Sequence, residues 1–296
     1  MAVLLGLASA LVYGAADFLG GMQARRSGAL AVVVWSQLAG LALLLAALPL
    51  LSPSPPQPGD LGWGALGGLG GGAGVALLYR GLSVGRMSVV APVTAAGAAV
   101  IPVLVGVGFG ERPSLPALVG VALALAAIVG VSSGTQAEPS TARATPTTPT
   151  SQSRDPARQW WRRPGLAEAV GAGLGFALFF VCLDRASADA GLWPLLAART
   201  SVLVAWLAAV TSRAPLRPAP GTYRNVAAVG AVDMLANLLY LLAARAGLLS
   251  LVAVLVSLYP VSTVVLARIV LGERLTRGQL ASLGAAAGGV VLLAAG

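Results

Sequence analysis

Residues 247–296 read GLLSLVAVLVSLYPVSTVVLARIVLGERLTRGQLASLGAAAGGVVLLAAG. An apolar run, broken by Tyr259-Pro260, climbs to Gly272-Glu273-Arg274, and a second apolar run continues to Gly296. The same plan stands earlier: residues 85–109 are apolar, Gly110-Glu111-Arg112 follows, and residues 115–133 are apolar again. An offset of 162 residues superposes the two triplets. It also pairs Gly85 with Gly247, Ser88 with Ser250, Val90 with Val252, Ala91 with Ala253, Leu104 with Leu266 and Leu118 with Leu280. An ungapped match through a charged triplet is the mark of an internal duplication.

Composition bounds the class. Hydrophobic residues make up 57% of the chain and charged residues 10%, against roughly a quarter charged in a soluble domain. Apolar runs near the length that crosses a bilayer as a helix recur along the whole chain. The expected fold class is an all-α integral membrane protein with ten transmembrane helices, built as two inverted five-helix repeats. The helices are placed at 2–22, 29–51, 62–82, 86–109 and 115–133, then 165–184, 191–211, 223–244, 248–271 and 278–295. Met1 to Ala16 lacks a basic leader and is read as the start of the first helix, not as a cleaved signal. Repeat one spans 1–134, a linker 135–164 and repeat two 165–296. The linker is rich in Thr, Ser, Pro and Arg, has too little apolar surface to bury and is expected to be disordered. Trp160-Trp161-Arg162-Arg163 at its end suits a membrane interface.

Five helices per half force homologous halves into opposite orientations, and the charges agree. Arg25 and Arg26 follow the first helix, whereas only Arg185 follows the sixth; the bias reverses after helices two and seven, as inverted repeats require. One side gathers 14 arginines and the other Arg112, Arg185 and Arg245, so the positive-inside rule puts the linker in the cytoplasm and both termini outside.

The net charge of +9 is all arginine, scattered at helix ends, which does not suit nucleic-acid binding. No histidine is present and Cys182 is alone, so no metal site, cofactor or His-assisted nucleophile is expected. The glycines at 67, 68, 70, 71, 72 and 74 lack the Lys-Ser/Thr of a phosphate loop and give small-residue faces for close packing. Pro92, Pro102 and Pro260 lie inside helices four and nine, where they kink the helix and suit a moving gate.

Polar groups at membrane depth carry the functional signal, because each is costly to insert. Asp233 falls midway along the eighth helix, with Asn237 and Tyr240 on the same face. Ser9, Tyr13 and Asp17 form a similar stripe on the first helix. Pairing Gly6 with Gly173 sets Asp17 opposite Asp184. Gln37 and Arg199 are equivalents at the 162-residue offset, and Arg199, deep in the seventh helix, needs a carboxylate, a carbonyl or water. A structural ion pair and a substrate cavity both account for this set. Glu111 and Glu273 are expected to pair with their neighbouring arginines at the interface.

The paired Gly-Glu-Arg triplets, Ser-Leu-Tyr-Pro-Val-Ser at 257–262 and Tyr13-Gly14-Ala15-Ala16-Asp17-Phe18 resemble the EamA-type members of the drug/metabolite transporter superfamily. Tyr13 stands where tryptophan is commoner, and the helix-four proline is displaced. The resemblance implies ten helices, inverted repeats and a cavity walled by helices 1, 3, 4, 6, 8 and 9. It also implies export or exchange of small metabolites, amino acids or drugs by alternating access. Cytoplasmic termini are usual in that family, and the arginines here argue the reverse. The functional expectation is a multi-pass secondary transporter of the bacterial plasma membrane, not an enzyme. Its substrate contacts would be Asp233, Asn237, Tyr240, Arg199, Tyr13, Asp17, Gln37 and Tyr259, with Asp233 carrying any coupled proton. Its partners would be a small molecule, protons and the lipid bilayer, with monomer and homodimer both open. A membrane scaffold and an intramembrane enzyme on lipid-linked substrates are the alternatives.

Overall fold

In a bilayer every backbone N–H and C=O must be satisfied within the protein, and apolar segments of 20 residues or more do this as helices. A computed structural model describes residues 1–51, 55–85, 87–133, 164–199, 207, 209–213 and 215–271, with 278, 281–282, 284–285, 288–289 and 291–292 beyond them. Among these residues there is no strand. In chain order the helices are α1 (Ala2–Ser27), α2 (Ala29–Leu51), α3 (Pro58–Val84), α4 (Met87–Gly108) and α5 (Leu115–Ser133). They continue with α6 (Leu166–Arg185), α7 (Trp193–Ala198), α8 (Tyr223–Ala246), α9 (Leu249–Val256) and α10 (Tyr259–Leu271).

Among the described residues, seven helical segments are long and apolar enough to cross a membrane: α1, α2, α3, α4, α6, α8 and the α9–α10 pair. The apolar part of α5, Leu115–Ala126, is shorter. Of the expected seventh helix only the start, α7, is described in full, and the expected tenth is described in scattered residues. Gly272-Glu273-Arg274 and the linker up to Arg163 lie outside the described residues. Leu4, Leu104, Phe109 and Ile269 are 67–73% exposed, an arrangement that suits lipid and not water.

The packing crosses between the halves. α3 lies along α6 and α8 along α1; α4 also packs on α6, and α10 on α1. These contacts come in pairs at the 162-residue offset. A Cβ on Gly68 would lie 2.7 Å from the Ala198 carbonyl carbon, and one on Gly230 would lie 2.7 Å from that of Ser36. Both glycines are therefore needed for backbone-to-backbone approach. Side-chain hydroxyls join the helices further: Ser9 donates to Ala236 O at 2.9 Å, Thr94 to Ala169 O at 3.1 Å and Thr263 to Gly14 O at 3.1 Å.

Two expectations need correction. Pro260 does not kink a continuous helix: the chain breaks at Ser257-Leu258, and Pro260 sits in the first turn of α10. Proline supplies no N–H there, and the first turn of a helix needs none. Ser262 Oγ and Thr263 Oγ1 donate to Tyr259 O at 2.8 and 3.3 Å beside the break. Pro92 and Pro102, by contrast, lie inside an unbroken α4. Secondly, Glu111 does not pair with Arg112. Its carboxylate accepts from Leu249 N at 2.8 Å and Ser250 N at 3.1 Å, capping the free amides that open α9. Glu273 lies outside the described residues.

Candidate functional site

The crossings leave a cavity with an empty volume of about 630 Å³, mouth included, between α1, α2, α3, α6, α7, α8 and α10. α1 contributes Tyr13 and Asp17, one turn apart, and α8 contributes Asp233 and Asn237, also one turn apart. Gln37 comes from α2, Arg199 from the residue after α7, and Tyr259 from the first position of α10. Seven of the eight residues singled out in the sequence thus meet around one space.

At its centre Arg199, 8% exposed, donates Nη1 to Gln37 Oε1 and to Asp233 Oδ2, the latter at 3.4 Å. Its Nη2 lies 2.8 Å from Met234 Sδ. Arg199 ends the α7 turn, donating its backbone N–H to Leu196 O at 3.0 Å, and this fixes where its side chain starts. The guanidinium fork and the two acceptors satisfy each other in a region where water is scarce. Asn237 donates Nδ2 to Asp233 O at 2.7 Å, which pins the amide to its own helix. Tyr259 Oη donates to Ala91 O at 3.3 Å and joins the break in the second half to α4 of the first.

Tyr240 is the exception. It shares the helical face of Asp233 and Asn237 but lies beyond the cavity, fully buried, where α6 closes over α8. Its hydroxyl donates to Phe180 O at 2.9 Å and its ring centroid stands 4.5 Å from that of Phe180. Ser9 is also spent on helix packing, and Asp184, the counterpart of Asp17, is absent from the lining.

Two groups of wall residues escaped the sequence reading. Phe176, Phe179 and Phe180 of α6 line the space, and so do Gly68, Gly71, Gly72 and Val75 of α3. The phenylalanines show i, i+3, i+4 spacing, the same spacing that lipid-facing residues show. The register held the better signal: Gly71 and Val75 stand 162 residues before Asp233 and Asn237, and Phe180 is to Gly173 as Tyr13 is to Gly6.

Residues 1–133 and 163–295 match the EamA-like transporter family. The chain belongs to that family. EamA-like proteins are transporters and not enzymes, and this member is a multi-pass membrane protein of the drug/metabolite type, whose partners are the lipid bilayer and a small-molecule substrate. No curated protein matches the chain. A solved structure described as "Crystal structure of protein" superposes with a TM-score of 0.69 at 16% identity, covering 98% of this chain and 95% of that one. At that identity the likeness concerns the fold.

Proposed function

We propose that this EamA-like protein is a secondary transporter of the bacterial plasma membrane. It would move small metabolites, amino acids or drugs, as exporter or exchanger, by alternating access. In this reading ten helices form two inverted repeats, 1–134 and 165–296, joined by a linker at 135–164. The observation that carries it is the buried Arg199–Asp233 pair facing an open cavity between the halves, where a purely structural pair would be packed shut. The register lends support. Arg199 bonds to Gln37, its own counterpart, and the Tyr13 and Phe180 rings, also counterparts, stand 6.5 Å apart. Contacts between repeat equivalents are what a two-fold axis between the halves would produce, and inverted-repeat transporters bind substrate at the interface of their repeats.

Within this site Asp17, Asp233, Asn237, Arg199 and Gln37 are the polar contacts for substrate, and Tyr13 and Tyr259 are amphipathic walls. Tyr240 acts behind the wall by fixing the Phe180 ring. Asp233 is the proposed proton carrier: protonation removes its charge and releases Arg199 from the pair, which changes the site between loaded and empty forms. The test begins with a thermal-shift screen of the purified chain against amino acids, other metabolites and drugs, because a bound ligand raises the melting temperature. Hits are then assayed for uptake into proteoliposomes under an imposed pH gradient. Wild type takes them up faster than protein-free vesicles, and Asp233→Asn loses the gradient-driven component. Undiminished gradient-driven uptake by the mutant contradicts the coupling. Uptake no faster than in protein-free vesicles contradicts transport.

A further inference from the structure

The cavity contains two carboxylates, and they are not equivalent. Asp233 faces a cation at 3.4 Å, and that cation is occupied twice over, by Asp233 and by Gln37. Asp17 is 8% exposed, lines the same cavity, and forms neither hydrogen bond nor ion pair among the described residues. Arg25, two turns further along α1, is turned away and donates to Leu82 O. The tyrosine hydroxyls of the lining do not compensate it. Tyr259 Oη is given to Ala91 O, and Tyr13 Oη, one turn from Asp17, has no partner among the described residues. In its ionised form Asp17 gives the lining one more negative charge than positive, and nothing among the described lining residues offsets it.

A buried carboxylate without a counter-charge is costly, and a cation that brings one is held strongly. Three further features define that cation. Phe176, Phe179, Phe180, Tyr13 and Tyr259 line the cavity with aromatic rings, a side-chain type that attracts a cation and accommodates an apolar body. The cavity is not sealed, so a small organic cargo anchored at Asp17 can extend toward its mouth. Among the described residues the cavity holds no cation besides Arg199, so a carboxylate on the cargo would find no unengaged partner.

We propose, building on the transport reading, that Asp17 is the anchor for the positive charge of an amphiphilic organic cation. The cargo class is then a monovalent ammonium-type cation on an aromatic or apolar body, in preference to an anion or a zwitterion. Asp17 is the charge-selecting residue, and the Arg199–Asp233 pair stands beside it as the proton-responsive part of the lining.

Isothermal titration calorimetry on the detergent-solubilised full chain tests this with three probes of similar size: phenyltrimethylammonium, benzenesulfonate and phenylalanine. Wild type binds phenyltrimethylammonium more tightly than either of the others. Asp17→Asn weakens that binding by about tenfold or more, the scale of losing one desolvated charge partner. The variant should melt no lower than wild type, since no internal bond to Asp17 is removed. Asp184→Asn, which removes the corresponding acid outside the cavity, keeps wild-type affinity. Unchanged cation affinity in Asp17→Asn overturns the assignment of the residue. Wild-type preference for benzenesulfonate or phenylalanine, or no binding of phenyltrimethylammonium at all, overturns the cargo class. None of these outcomes touches transport itself, which stands or falls on vesicle uptake.

Discussion

The two walls of the cavity are the same stretch of fold carrying different chemistry. On α8, Asp233 and Asn237 face the space; 162 residues earlier, on α3, Gly71 and Val75 face it. After α7 stands Arg199, and on α2 its counterpart is Gln37. At these facing positions the second half supplies the ion pair and the first supplies room, while α1 of the first half adds Asp17 nearby. One backbone contact between the halves has not diverged in this way, since Gly68 on Ala198 repeats as Gly230 on Ser36. This joint, where two backbones meet, is alike in both halves, whereas the cavity-facing positions differ.

That contrast can be broken from either side. The largest effect is expected from Asp233→Leu, which leaves Arg199 buried without its carboxylate. Removing one partner of a buried pair costs about 3–5 kcal/mol, so folded yield and melting temperature should fall sharply. The double variant Arg199→Gln/Asp233→Asn should recover most of that stability without recovering transport. If the pair were only a helix-register device, the double variant would transport normally.

The joints come next. Gly68→Val and Gly230→Val each drive a side chain into a backbone, at about 1–3 kcal/mol apiece, and the two should be similar in chemical denaturation. A large difference between them would count against equivalent roles. Gly71→Val should behave differently. A Cβ there first meets the edge of the Phe179 ring, at 3.0 Å, which is a side chain able to shift. Stability should hold to within about 1 kcal/mol while ligand binding falls, because the added methyls occupy the space that the first half leaves open. The smallest effect belongs to Tyr240→Phe, which loses one hydrogen bond to Phe180 O, about 1 kcal/mol, with binding nearly unchanged. Loss of binding out of proportion to that would return Tyr240 to the cavity wall.

The polar residues of this site were legible because lipid makes them expensive. Asp233 and Arg199 stand out in any apolar helix, and the offset that aligned the Gly-Glu-Arg triplets also paired Arg199 with Gln37. Helical periodicity gave the face of Tyr240 correctly but not its depth, which depends on where α6 crosses α8. Phe176, Phe179 and Phe180 carried no polar cost and resembled lipid-facing residues. The break at Ser257-Leu258 was displaced from Pro260 because a proline ends the helix before it and opens the one after it. Glu111 adjoins Arg112 in the sequence, whereas its partners are amides 138 and 139 residues away. Long-range capping leaves no periodic signature in a sequence.

The central claim is that substrate occupies the space between the charged wall and the glycine wall. It is tested most directly by uptake into proteoliposomes of the ligand that most raises the melting temperature, with wild type and Gly71→Val compared at equal amounts of folded protein. Wild type should accumulate the ligand above protein-free vesicles, and Gly71→Val, stable but with its space filled, should not. Equal uptake by the two would place the transport route elsewhere and contradict the account.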